Sequence, residues 1–164
     1  MLAKRKPKPS LPSCDWKHPA KSRTDNTDRI HRHRGNFTWT GVKTERYKST
    51  EGGWSAITRR VLVGNCGESA NFHLRYFEIA PGGFSSLEQH RHEHVVICIR
   101  GRGRVKAGSR KYTIRILDTV YLAPDTVHQF SNSFDEPFGF LCIVNAERDA
   151  PQPVDGLGAC RICE

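Results

Sequence analysis

No run of apolar residues in this chain approaches the roughly 18 that a membrane-spanning helix requires. The basic start, MLAKRKPKPSLP, lacks the apolar stretch that would follow in a secretory signal. A soluble, cytoplasmic protein is therefore expected. Apolar residues make up only 37% of the sequence, below the usual share, which points to a part that does not join the core. A length of 164 residues provides for one core and excludes two ordinary domains. Acidic residues are scarce in one place. Residues 1–34 carry ten Lys/Arg against Asp15, Asp25 and Asp28, so +7 of the formal +9 lies there, and the remainder is almost neutral. A basic arm of this kind is more often solvated than a nucleic-acid reader, and nucleic acid is not an expected partner. Six cysteines in this length do not form the dense pattern of a disulfide scaffold. Cys98 and Cys142 sit in the apolar runs VVICI and FLCIV, where a reduced, buried thiol is the ordinary expectation.

What is present divides the chain into three parts. Residues 1–36 are rich in Lys, Arg, Pro, Ser and Asp without periodicity, and are expected to form a basic, flexible arm. From Phe37 to 147, short β-prone runs recur between turn residues: FTWTGVK, SAITRRVLVG, NFHLRYFEIAPGG, HVVICIRGRGRV, RKYTIRIL, DTVYLAP, VHQFSN and PFGFLCIV. Spacings of about 8–12 residues with turn signals between them indicate an all-β sandwich or barrel. No convincing helix of normal length is visible in this region. Several runs carry apolar residues on both faces, as expected where a barrel wall also packs against an arm or a second subunit. Residues 148–164 turn polar and Gly/Pro-rich and end in CRICE.

Four of the eight histidines fall in two dense clusters, LEQHRHEHVV (88–96 and its preceding Leu) and APDTVHQFSN (123–132). Singly, each would be an ordinary surface or core histidine. Alternation places His90, His92 and His94 on one face of an extended chain, neighbours being roughly 6.6–6.8 Å apart. Two such imidazoles can reach one ion. Three on a straight strand cannot, since the outer pair would be about 13 Å apart. The run must bend, or contribute only some of its members.

The spacing of these residues resembles the cupin superfamily. Its first motif, G-x5-H-x-H-x3-E-x6-G, is matched without gaps by Gly82, Glu88, His90, His94 and Gly101, with the acid and one histidine exchanged. Its second motif is matched in relaxed form by Asp118, Pro124, His128 and Asn132. The resemblance implies a single-domain cupin-2 type fold, a double-stranded β-helix or jelly-roll barrel, with one divalent metal ion held by Glu88, His90, His94 and His128. Glu88 and His90 would end one strand, His94 would begin the next, and His128 would face them. Three imidazoles and one carboxylate suit manganese, iron, nickel, zinc or copper, with manganese the first expectation. His92 could exchange with His90 as ligand, act as a proton shuttle, or face solvent. Cupins often dimerise through strand edges and arms, so the resemblance also implies a homodimer.

Other side chains are candidates for chemistry. Alternation from His94 turns Val96 and Cys98 inward, and Arg75 and Phe77 join the same expected cavity. Cys98 is a candidate substrate contact, though core filling is its simpler role. Arg59, Arg60 and Arg75 are candidates for an anionic substrate, against the plain alternative of surface ion pairs. Cys160 and Cys163 form a CxxC pair with Arg161 between them, which favours thiolate; a lone pair is only half a zinc site.

The cupin barrel supports many reactions, so the fold does not name one. The block RYFEIAPGGFSSLEQHRHEHVV, with FGFLCIVNAERD later, is similar to small bacterial cupins of the methylthioxylulose-phosphate methylsulfurylase type. That similarity implies carbon–sulfur cleavage on a phosphorylated thio-sugar, with Cys160, Cys163 and His92 as catalytic candidates. A metal-dependent dioxygenase and a non-catalytic, small-ligand-binding cupin are the rival readings.

Overall fold

The computed structural model describes residues 28–48, 53–148 and 152–154. Eleven strands lie in one sheet: β1 (Glu45–Arg46), β2 (Ser55–Val63), β3 (Phe72–Phe84), β4 (Glu88–Gln89), β5 (His94–Arg100), β6 (Arg102–Ala107), β7 (Arg110–Arg115), β8 (Thr119–Leu122), β9 (His128–Ser131), β10 (Phe138–Asn145) and β11 (Gln152–Pro153). No helix occurs among the described residues. The main path runs β11-β4-β9-β3-β10-β5-β8, with β2 beside β3 and the β6–β7 hairpin beside β9. All pairings are antiparallel. The sheet curls into a nearly closed barrel because β3, at 13 residues, serves two neighbourhoods. Its first part pairs with β2 and β10, and Phe84 at its end pairs with Ser131 of β9.

The strands form where the sequence supplies β-branched and aromatic residues in alternation. In β5, His94, Val96 and Cys98 are buried, while Val95 and Ile97 are half-buried on the other face. The interior is aromatic. Phe140 stacks on Phe130 at 4.7 Å and lies 5.0 Å from Phe138 and 5.6 Å from Phe77, centroid to centroid. Burial of each phenyl ring is worth about 1.5–3 kcal/mol, so this cluster is a principal source of cohesion. At Gly101, between β5 and β6, φ is +60° and a Cβ would come within 2.3 Å of the Pro137 carbonyl oxygen. Only glycine suits that turn. Asn132 ties the far end of the barrel: its side-chain amide donates to the carbonyls of Ile79 (2.9 Å) and Glu136 (2.8 Å) and accepts from the Phe134 N–H (3.0 Å).

One β-prone run behaves differently from the sequence expectation. FTWTGVK contains no strand; it carries one isolated bridge, His33 to Trp39. Asn36, Phe37 and Gly41 all have positive φ, which breaks the extended chain. Its rings act instead as a cover. Phe37 stacks on Tyr76 at 5.5 Å and Trp39 meets the same ring edge-on at 5.2 Å, which leaves Tyr76 with no exposed surface. This is how the outer face of β3 is buried.

Candidate metal centre

β4 ends at Gln89 and β5 begins at His94, so the chain between them bends sharply and the HxHxH run is not straight. In the β4–β9 pairing Glu88 sits opposite His128, and His94 opens β5. All four histidines and Glu88 are buried. One candidate ligand atom from each of His90, His94 and His128 falls within 4.8 Å of the other two. The bend resolves the geometric objection to three ligands in one run: His90 and His94 converge, and His92 stacks on His90 at 3.5 Å with the rings 5° from parallel.

Hydrogen bonds fix the tautomers. A carbonyl can only accept, so the contacts His90 Nδ1 to His92 O (2.7 Å) and His128 Nδ1 to Thr126 O (2.8 Å) put the proton on Nδ1. Each ring then keeps its Nε2 lone pair for another partner. Nε2 of His90 and of His94 are buried with no hydrogen-bond partner among the described residues. Buried polar atoms seldom go unsatisfied without a reason. Burial first, then the neighbouring imidazoles of His128 and His90, push His94 down to about 2. Burial likewise lowers His128, against the opposing pull of the Thr126 carbonyl. Neutral imidazoles are the form that binds metal, so the lowering of His94 and His128 suits a divalent ion.

A cavity of about 220 Å³ opens beside this cluster. His92, His94, His128 and Glu88 line it, as do Arg59 and Arg75. Solvent exposure of His92, one of its three possible roles, is excluded by its burial. Glu88 forms a short ion pair with Lys48. Arg59 gives both Nη2 (2.8 Å) and Nε (3.0 Å) to one oxygen of Glu45. Arg60 is buried on the wall, its guanidinium over the Tyr76 ring, and is not part of the lining. Cys98 also lies outside it; its thiol points to the carbonyls of Arg100 and Gly101, each at 3.7 Å. Cys160 and Cys163 lie outside the described residues.

The cavity holds residues the sequence reading did not select: Tyr47, Lys48, Cys142 and Arg148. Tyr47 has its phenol raised by burial and by the charge of Glu88, and so keeps its proton. Cys142 Sγ stands 3.8 Å from His94 Nδ1 and 3.6 Å from Arg75 Nη2. Burial raises this thiol and Arg75 opposes the rise.

A curled antiparallel barrel with a histidine cluster on its inner wall is the architecture of a cupin, and the chain belongs to the cupin family. Residues 75–144 match the cupin domain model of the cupin-2 type. Over 118 residues the chain is 42% identical to 1-methylthio-D-xylulose 5-phosphate methylsulfurylase of Rhodospirillum rubrum, an overlap of 71% of this chain and 74% of that protein. Among solved structures, a cupin 2 conserved barrel protein of Rhodopseudomonas palustris superposes with a TM-score of 0.71 at 35% identity, covering 76% of this chain and 86% of that one. A cupin-2 domain of Rhodospirillum rubrum gives 0.68 at 38% identity, covering 77% and 84%.

Proposed function

We propose that this chain is a metal-dependent cupin enzyme that cleaves a carbon–sulfur bond in a small phosphorylated thio-sugar. The observation that carries the reading is the grouping of His90, His94 and His128, with the Nε2 atoms of His90 and His94 buried and unsatisfied, beside a cavity that Lys48, Arg59, Arg75 and Arg148 also line. The 42% identity to a methylsulfurylase supplies the substrate class. His90, His94 and His128, with Glu88 as the carboxylate, would hold the ion. A divalent ion there supplies Lewis acidity toward a substrate carbonyl.

The chain's own residues would do the rest. Arg75 meets the anionic end of the substrate. His92, stacked on His90 and lining the cavity, carries a proton to or from the sugar carbon. Cys160 or Cys163 as thiolate attacks the methylthio sulfur. The electron pair of the broken carbon–sulfur bond passes into the ketone's enolate, which takes up a proton. The other cysteine then displaces methanethiol from the mixed disulfide, and an external thiol reduces the resulting Cys160–Cys163 disulfide. In the same reading manganese is the resident ion, the chain is a homodimer, and its compartment is the cytoplasm.

The test is incubation of the full chain with manganese, a reducing thiol and 1-methylthio-xylulose 5-phosphate, following methanethiol release. Release abolished by His94→Ala and His128→Ala is the expected result. Oxygen uptake on a thiol or aromatic substrate, without methanethiol, would replace the reading with a dioxygenase. Metal content of the purified protein and sedimentation analysis check the ion and the assembly.

A further inference from the structure

Charge matching in the cavity leaves a remainder. Lys48, Arg59, Arg75 and Arg148 all line it. Lys48 is matched by Glu88, and Arg59 by Glu45. Arg75 and Arg148 have no carboxylate at ion-pair distance among the described residues. Arg75 is held by its stem on β3: its guanidinium sits over the Phe77 ring at 5.1 Å, gives Nη2 only to the Cys142 thiol, and buries an Nε with no partner. Arg148 follows the end of β10 and folds back, so that Nη1 donates to the Asn145 carbonyl (2.8 Å) and contacts His73 Nδ1 (3.0 Å). Burial, and then repulsion by Arg75, lower the Arg148 guanidinium from its ordinary value. Both residues line the same cavity, where a pair of guanidinium groups can share one anion.

We infer that Arg75 and Arg148 form a phosphate-ester subsite, which anchors the phosphorylated end of the substrate in the cavity that His92, His94 and His128 also line. Two uncompensated positive charges equal the charge of one phosphate monoester dianion; a carboxylate would leave one unmatched. Guanidinium donors in pairs also suit phosphate oxygens better than a lone ammonium does. Arg148, which belongs to neither cupin motif, is then a binding residue. The inference deepens the reading of the cavity as a sugar-phosphate site, but phosphate capture does not depend on any carbon–sulfur chemistry.

The probe is inorganic phosphate at pH 8, titrated calorimetrically into the full chain with and without a chelator, with acetate as the comparison anion. Phosphate should bind in both conditions, and acetate at least about tenfold more weakly. Arg148→Met and Arg75→Met should each weaken phosphate by about ten- to a hundredfold, and Arg148→Met should leave metal affinity unchanged. Arg148 is exposed at the cavity mouth, so its variant folds irrespective of the half-buried Arg75; Arg75→Lys serves if Arg75→Met unfolds. Unchanged phosphate affinity in Arg148→Met, acetate binding as tight as phosphate, or phosphate binding lost with the chelator would each overturn the inference. Phosphate captured as expected, with no methanethiol from the thio-sugar, would sink the proposed reaction and leave the subsite standing.

Discussion

Replacement of Lys48 by methionine should weaken the fold of the free protein and at the same time tighten its hold on metal. In the free protein the Glu88 carboxylate is buried and neutralised by Lys48. Deleting one partner of a fully buried pair costs about 3–5 kcal/mol. The Lys48 side chain retains 29% exposure and that of Glu88 9%, so screening reduces the loss to about 2 kcal/mol. Methionine keeps most of the stem, and the packing change is small. If Glu88 is a metal ligand, the ion supplies the missing positive charge, so the bound state loses little. The thermodynamic cycle then requires metal to bind Lys48→Met more tightly by the same amount, about 30-fold. Urea unfolding of the chelator-treated protein measures the first quantity, and competition with a chelating dye measures the second. The Tm of the free variant should fall by about 4–8 °C and recover on saturation with metal. A variant that is destabilised yet binds metal no more tightly would refute Glu88 as a ligand. Glu88→Gln is the companion, since Lys48→Met should have almost no effect on metal affinity in its background.

Three further outcomes are expected. Metal-free protein should lose stability on acidification below about pH 6.5, because His94 and His128 stay neutral in the fold while the unfolded chain takes up protons. The slope between pH 6 and 5 should be at least about 1 kcal/mol per unit from His94, with His128 adding to it, and a gain in stability on acidification would contradict it. Asn132→Ala should cost about 2–3 kcal/mol in urea unfolding, since it strands the buried Ile79 carbonyl and removes two part-buried bonds, to the Glu136 carbonyl and the Phe134 N–H, while metal affinity remains near that of the parent chain. Cys160→Ser and Cys163→Ser should each stop catalytic turnover of the thio-sugar without altering metal content; full turnover in both would eliminate these thiols as sulfur acceptors.

The fold was legible in the sequence because alternation and turn residues are local signals. The grouping of His90, His94 and His128 was legible because the motif spacing also encodes the bend between β4 and β5. Face was readable where depth was not. Cys98 and Cys142 both point inward, yet pairing sets Cys98 beside Phe140 and Cys142 between Val96 and Arg75. Only the second therefore reaches the cavity, and no pattern within either strand carries that register. Lys48 and Arg148 were invisible for a related reason. Each is a single basic residue outside a strand, brought to the cavity by how its segment folds back. The FTWTGVK run misled because β-prone residues describe a ring-rich segment equally well when positive-φ positions prevent it from extending.

The stacking of Phe37 and Trp39 on Tyr76 bears on where this protein can be cut. The region matched by the family model starts at residue 75, and β2 starts at Ser55, so either invites a shorter expression boundary. A chain begun at Ser55 would leave a large aromatic ring bare on its outer wall, together with the buried Arg60 guanidinium beneath it. Such a fragment would present a sticky face and be prone to self-association. A boundary ahead of the His33–Trp39 bridge keeps that ring covered.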